Sequence, residues 1–338
     1  MESLKENNLS GSSKILADET TPGEVLENRL ERYAKAKKRS ESVLKYIIHL
    51  INSYPQAEKP DFNRLEYREL IMIRRQLKEC GAFLLFREYY TVGRHRLIGG
   101  CTCKRHLLCM LCAVRRAARQ LAAYLKKVSQ VLSQDSNKKL VLITLTVKNG
   151  DDLLDRYKHL TKSLRVLTNQ RKHNLSGDRL ERTVFTEIQG AVWTFEATNK
   201  GNGWHPHCHM LAMVEKDLDI KGFQETLSRE WKEVSKDSFI VDVRPIIENN
   251  DRIGAFCEVF KYALKTNDMS VENQYQAHKK LRGKRLIASL GTLYNVQVPE
   301  SLNDEIEDDL ESLPYVDILF RYSEYLGYQE LERIPQVA

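Results

Sequence analysis

From residue 140 to 147 apolar and β-branched residues run almost unbroken. Thr144 and Thr146 share one face and Ile143, Leu145 and Val147 the other, which predicts a strand. Leu153, Tyr157, Leu160, Leu164 and Leu167 follow at the three- and four-residue intervals of an amphipathic helix. Two extended runs, 191–197 and 205–214, flank Asn199-Lys200-Gly201-Asn202-Gly203, whose turn residues predict an antiparallel hairpin closed by Gly201 and Gly203. Phe223, Leu227, Trp231 and Val234 trace a second helix, and 239–244 a fourth strand. Ile253, Phe256, Phe260, Ala263 and Leu264 form one face of a last helix over about 251–265. The order β-α-β-β-α-β plus one helix predicts an α+β chain with a ferredoxin-like antiparallel sheet, helices on one side, over 133–299.

The flanks read differently. Residues 1–25 are polar and without a sustained period, and are expected to be a disordered tail. Helical, strongly basic patterning covers about 25–51, and a second helical segment covers about 64–78. With the cysteines that follow, residues 26–132 are expected to form a mostly helical, zinc-binding and DNA-binding region. Beyond 300 the charge turns acidic, with Asp304, Glu305, Glu307, Asp308, Asp309 and Glu311. This run is either a solvated linker or a shield over the basic surface. Tyr315, Leu319, Tyr322 and Leu326 then predict a helical C-terminal segment, so that 300–338 reads as an acidic linker and a helix.

The chain of 338 residues has no run of about 18 apolar residues and no basic-then-apolar leader, so a cytoplasmic protein with no membrane partner is expected. The net charge of +7 is unevenly spread. No acid lies between Glu88 and Asp135, where Arg94, Arg96, Lys104, Arg105, Arg115, Arg116, Arg119, Lys126 and Lys127 cluster. That is the footprint of a polyanion-binding surface, with Arg115, Arg116 and Arg119 placed to meet phosphates. Lys279, Lys280, Arg282, Lys284 and Arg285 make a second basic cluster.

Seven cysteines, four of them between 101 and 112, suit thiols and metal better than a disulfide framework. Cys109-x-x-Cys112 can grip one metal from a tight turn, and Cys80 with Cys103 would complete a tetrahedral thiolate site for structural Zn2+; Cys101 and His106 are alternative ligands. On the strand at 205–214, His207 and His209 project from one face while Cys208 points away. The hairpin sets Glu196 opposite His207 as a third ligand for a divalent cation. On the last helix Glu258, Tyr262 and Lys265 share a polar face: a carboxylate, a phenol able to attack phosphorus, and an ammonium for phosphate charge.

Three motifs stand in order: Ile143-Thr144-Leu145-Thr146, His205-Pro206-His207-Cys208-His209-Met210-Leu211, and Glu258-x-x-Lys261-Tyr262-x-x-Lys265. With Cys80-Gly81, Cys103-Lys104, Cys109-x-x-Cys112-x-x-Arg115-Arg116 and Leu281-Arg282-Gly283-Lys284-Arg285-Leu286-Ile287, they resemble the HUH endonucleases, and more narrowly the plasmid rolling-circle replication initiators of the Rep_1 type. The resemblance covers roughly 64–295. Cys208 between the histidines and the lack of a proline after Cys109 depart from the usual pattern.

The resemblance implies an HUH nicking domain that cuts and rejoins one strand of plasmid origin DNA, at a single-stranded or cruciform site, through a 5′-phosphotyrosine on Tyr262. It implies Mg2+ or Mn2+ at His207, His209 and Glu196, water activation by Glu258, phosphate contacts from Lys261, Lys265, Lys284 and Arg285, and work beside host helicase and DNA polymerase. A single-strand transposase or mobilisation relaxase would share this core. A non-enzymatic, zinc-containing DNA-binding regulator would share only the basic and cysteine-rich features.

Overall fold

The computed structural model describes residues 25–56, 59–178, 182–246, 249–260, 269–305, 308–310 and 312–336, with backbone alone at 249–253 and 308. The expected tail at 1–25 therefore lies almost wholly outside the described residues. Two units emerge, one of residues 25–119 with 299–336 and one of residues 120–298.

In the first unit the basic pattern at the start becomes helix α1 (Leu26–Asn52), burying Tyr33, Ala36, Val43 and Ile47 at helical spacing. Helix α2 (Arg64–Glu79) starts where the Asn63 side chain accepts from the amides of Leu65 and Glu66, both at 3.1 Å. It ends on a buried cation, as Lys37 Nζ donates to the carbonyls of Leu77, Lys78 and Cys80 at 3.1, 3.1 and 2.6 Å. A lysine 3 % exposed is tolerated there because it satisfies the orphan carbonyls of a helix C-terminus. Strands β1 (Phe83–Tyr89) and β2 (Arg94–Gly100) follow, and helix α3 (Met110–Gln134) begins at the cysteine turn and runs on into the second unit.

The C-terminal segment corrects the sequence reading. Residues 316–335 form strands β8 (Val316–Ser323) and β9 (Gly327–Pro335), and the first unit's sheet runs β2-β1-β8-β9, all antiparallel. The four-residue spacing of Tyr315, Leu319, Tyr322 and Leu326 fitted a helix. The alternation that decides burial is instead Ile318 and Phe320 inside against the more open Leu319 and Arg321, a period of two satisfied by pairing with β1. The region beyond 300 is thus built into the same unit as the N-terminal helices.

The acidic run is likewise no simple linker. Asp304 receives Arg115 Nη2 at 2.6 Å and Arg29 Nη2 at 2.7 Å, and the Leu97 amide at 2.7 Å, while Arg119 meets Glu305 at 2.5 Å. Arg115 also donates to the Leu302 carbonyl and the Tyr33 hydroxyl. Burial alone would raise the Asp304 carboxyl, but the charges of Arg115 and Arg29 and the Leu97 amide outweigh it and pull it down to about 2. A depressed carboxylate stabilises the fold above its ordinary value of 3.8, and that contribution, about 2 kcal/mol, is lost as pH falls from 3.8 towards 2. Asp304→Asn, which removes the carboxylate shared by the buried Arg115 and the half-buried Arg29, is expected to lower stability by about 2–3 kcal/mol in urea at neutral pH. The gap to wild type should close below pH 3.8. A gap independent of pH would show that the ionic tie is not what the carboxylate supplies.

The second unit follows the expected order. Strand β3 (Lys138–Thr146), helix α4 (Leu153–Leu175) capped by Asp152, strands β4 (Gly190–Asn199) and β5 (Trp204–Glu215), helix α5 (Ile220–Ser235) capped by Asp219, strand β6 (Val241–Ile246) and helix α6 (Asn249–Phe260) succeed one another. Helix α7 (Val271–Leu281) and strand β7 (Ile287–Gly291) come after. The sheet order β6-β3-β5-β4-β7 is antiparallel throughout: the ferredoxin-like four-strand order with an added edge strand the periodicity had not shown. Tyr157 of α4 packs edge-on to Phe195 of β4 at 5.0 Å. On the other face the Thr194 hydroxyl donates to the Val259 carbonyl in the last turn of α6. No helix of the described residues is long and apolar enough to cross a membrane.

Candidate functional site

The central strand β5 carries the site because its alternation puts His207 and His209 on one face and its two neighbours frame them. Across β4, Glu196 stands opposite His207 and Thr194 opposite His209; across β3, Thr146 stands opposite His207 and Thr144 opposite His209. The hairpin that fixes this register turns at residues 200–203, with Gly201 at φ +102° and Gly203 at φ +78°. Gly203 is required twice over, since a Cβ there would meet the Gly150 carbonyl oxygen at 3.1 Å, where Gly150 and Trp204 exchange backbone hydrogen bonds.

His207 Nε2 lies 3.4 Å from Glu196 Oε1, His209 Nε2 lies 3.5 Å from Glu196 Oε2, and His209 Nε2 lies 3.4 Å from Glu258 Oε1. Glu196 is 1 % exposed, and both histidines are buried. These separations are long for hydrogen bonds but match those between ligands of one small cation, roughly 3–3.5 Å at bond lengths near 2.1 Å. Two imidazoles and a buried carboxylate thus form a group that could hold a metal ion. His209 Nδ1 is 3.1 Å from the Thr144 hydroxyl, which fixes the ring and turns Nε2 inward.

The group opens into a cavity of about 560 Å3 lined by Thr144, Thr146, Asn149, Lys200, His205 and Glu258, among others. His205 Nδ1 sits 2.7 Å from Asn149 Oδ1. Neither this pair nor the fixing role of Thr144 was read from the sequence. Their signal was there in Thr144 sharing a strand face with Thr146, and in Asn149 next to the glycine that receives the hairpin. Cys208 points into the opposite face, where burial pushes its thiol up to about 12 and leaves it inert.

Of the expected catalytic residues, Glu258 stands beside His209 at the end of α6. Lys261, Tyr262 and Lys265 lie outside the described residues, beginning one residue past the helix. Among the expected phosphate contacts, Lys284 and Arg285 are exposed beside β7 and Arg116 is half-buried. Arg115 and Arg119 are corrected: both are buried, with their guanidiniums committed to the acidic segment of their own unit.

In the first unit Cys80, Cys103, Cys109 and Cys112 bring their sulfurs within 4.8 Å of one another, without Cys101, which is exposed, and without His106. The Cys80–Cys109, Cys80–Cys112 and Cys103–Cys112 separations of 3.5, 3.5 and 3.7 Å approach the edge of about 3.8 Å of a thiolate tetrahedron around zinc with bonds near 2.3 Å. The Cys103 amide donates to Cys80 Sγ at 3.3 Å. Donation from Cys103, Cys112 and Cys80 holds the Cys109 thiol well below its ordinary value, while hydrogen bonding with Cys103 and Cys109 pushes Cys80 and Cys112 up. Four cysteine sulfurs at these separations, three of them in buried residues, fit a divalent soft cation.

A family model described as "Replication protein", Rep_1, matches residues 94–317. A "Protein rep" of Staphylococcus aureus is 27% identical over 249 residues, spanning 71% of this chain and 94% of that protein. A "Protein rep" of Lentilactobacillus hilgardii is 24% identical over 254 residues, spanning 70% and 76%. No solved structure matches the chain significantly.

Proposed function

The chain belongs to the Rep_1 family of replication proteins, and from that premise we propose that it initiates plasmid replication by nicking and rejoining one strand of origin DNA. The observation that carries this reading is the convergence of His207, His209, Glu196 and Glu258 in one polar cleft, at the end of the helix that leads into Tyr262. His207, His209 and Glu196 would hold Mg2+ or Mn2+, which when bound supplies Lewis-acid polarisation of a phosphoryl oxygen.

Tyr262, two residues beyond α6, attacks the scissile phosphorus. The new bond joins its phenolic oxygen to phosphorus, the bond to the 3′ oxygen breaks, the phenol gives up its proton and the departing 3′ oxygen takes one. With an ordinary pKa of about 10, the phenol needs help to react, and Lys261 and Lys265 on either side supply positive charge. The phosphotyrosine keeps a transferable ester, so the reverse attack by a 3′ hydroxyl rejoins the strand. Glu258, whose Oε1 lies 3.4 Å from His209 Nε2, takes a proton from water in a terminating cleavage on this reading. Arg116, Lys284 and Arg285 hold phosphates, Cys80, Cys103, Cys109 and Cys112 would hold a structural Zn2+ in the first unit, and a host helicase unwinds the duplex while DNA polymerase extends the freed 3′ end.

The test is incubation with supercoiled DNA carrying the chain's own replicon origin and Mn2+. Denaturing electrophoresis follows, with mass analysis of the nuclease-digested adduct. A nucleotide mass on the peptide containing Tyr262 is expected. Bound DNA without a nick, or a nick without an adduct, would replace this reading with that of a regulator or of a hydrolytic nuclease.

A further inference from the structure

Behind the sheet from the histidines lies a second cavity, of about 360 Å3, for which the nicking reaction has no use. Alternation along β4 separates the two sites: Thr194 and Glu196 pair with His209 and His207 on the metal-ligand side, while Trp193 and Phe195 line this cavity with Cys208 of β5. Helix α4 forms one wall with Tyr157 and Arg165, and the segment 285–294 forms the other with Tyr294. The Tyr157 hydroxyl donates to the Arg285 carbonyl at 2.9 Å and the β4 amide of Phe195 donates to the Leu286 carbonyl at 2.8 Å, so this wall is fastened to both helix and sheet.

We propose that this cavity binds a single unstacked nucleobase of the DNA strand; the inference rests on the reading that the chain acts on DNA. Its size lies at the lower end of small-ligand pockets, roughly 300–1,000 Å3, which admits a base and excludes a duplex. Trp193 and Tyr294 offer ring surfaces on which any base stacks. The mouth is cationic. Arg165 and Arg285 are exposed lining residues, and Arg285 ends the run Lys279, Lys280, Arg282, Lys284, Arg285, which contains no acid. An apolar, aromatic interior with a guanidinium rim is complementary to a base carried on a phosphodiester, and not to an uncharged apolar ligand or an acidic peptide lacking rings. The basic cluster at 279–285, which the nicking chemistry leaves largely unused, thereby gains a role in leading the strand around the β7 edge of the sheet.

The full chain is titrated, with divalent metal omitted, with a single-stranded oligonucleotide of about 20 nucleotides, longer than the ~4–16 nucleotides that one single-strand-binding fold covers. 2-Aminopurine is placed at successive positions along it. A fluorescence change confined to one or two adjacent positions is expected in the wild type. Tyr294→Ala should remove it and weaken binding by about tenfold to a hundredfold. Tyr294 is 66 % exposed, so its truncation spares the core, and Tyr294→Phe, which keeps the ring and loses the hydroxyl, should restore both signals. Arg165→Ala should weaken binding and flatten its salt dependence without moving the fluorescent position. Wild-type affinity and an unchanged fluorescence profile in Tyr294→Ala would overturn the base pocket while leaving the DNA reading intact. A wild-type chain that ignores both this probe and duplex origin DNA would overturn both.

Discussion

Glu196→Gln is expected to slow nicking of origin DNA by about a thousandfold while leaving the metal-free protein at least as stable as the wild type. The side chain is 1 % exposed and turns both oxygens to the imidazoles of His207 and His209, so its carboxylate is held out of water. The amide keeps the shape and removes the charge, which relieves desolvation in the apo state. What it takes away is the only anionic member of the three-residue ligand group. Lewis-acid stabilisation of a transferring phosphoryl group is worth several kcal/mol, and each 1.36 kcal/mol is tenfold in rate. Two measurements together separate this from a structural role. Thermal melts with and without Mn2+ should show metal-dependent stabilisation in the wild type alone, and the nicking rate should fall in the variant even at saturating DNA. A variant that nicks at the wild-type rate would place the chemistry away from this cleft.

Cys112→Ser is expected to unfold the unit of residues 25–119 and 299–336 while residues 120–298 survive as a protease-resistant fragment. Structural zinc contributes about 10–16 kcal/mol to small thiolate sites, as much as or more than the ~5–15 kcal/mol net stability of an ordinary domain. Serine cannot supply the fourth thiolate, and Cys112 Sγ is the atom that links Cys80, at 3.5 Å, to Cys103, at 3.7 Å. Around it the carbonyls capped by Lys37, the Cys103 amide bond to sulfur and the start of α3 all depend on the same box. Zinc content per chain, circular dichroism and limited proteolysis read the outcome. One zinc per wild-type chain, none in the variant and loss of helical signal are expected. A variant that keeps full helicity without zinc would show that hydrogen-bonded thiols suffice.

Much of the second unit was legible in the sequence because its signals are local and periodic. Leu153 to Leu167 repeats at helical spacing and becomes α4, Phe223 to Trp231 becomes α5, and the glycine-rich turn between two apolar runs becomes the β4–β5 hairpin. The register that sets Glu196 opposite His207 follows from that short turn, and residue alternation then puts both histidines on Glu196's side of the sheet. The cysteine set was legible as a type of site. That reading already sets Cys80 ahead of Cys101, and the turn after α2 is what brings it among the other sulfurs.

The sequence by itself determined the strand and helix order of residues 138–260 and the pairing of two imidazoles with a carboxylate across one hairpin, since each depends on local spacing, and it pointed to four cysteines that could hold a metal ion. Only the tertiary structure decided where the distant segments go. Residues 316–335 satisfy both a four-residue and a two-residue period, and it is the open edge of β1, more than 220 residues away, that selects strand over helix. The same long-range step consumed Arg115 and Arg119. Their charges looked free for phosphate along the chain, but folding buries them, and a buried guanidinium must find an anion nearby, which Asp304 and Glu305 provide. Strand β7 and the cavity it walls were invisible for a like reason: a short edge strand of intermediate burial carries little pattern of its own, and its conformation is set by the β4 edge it pairs with.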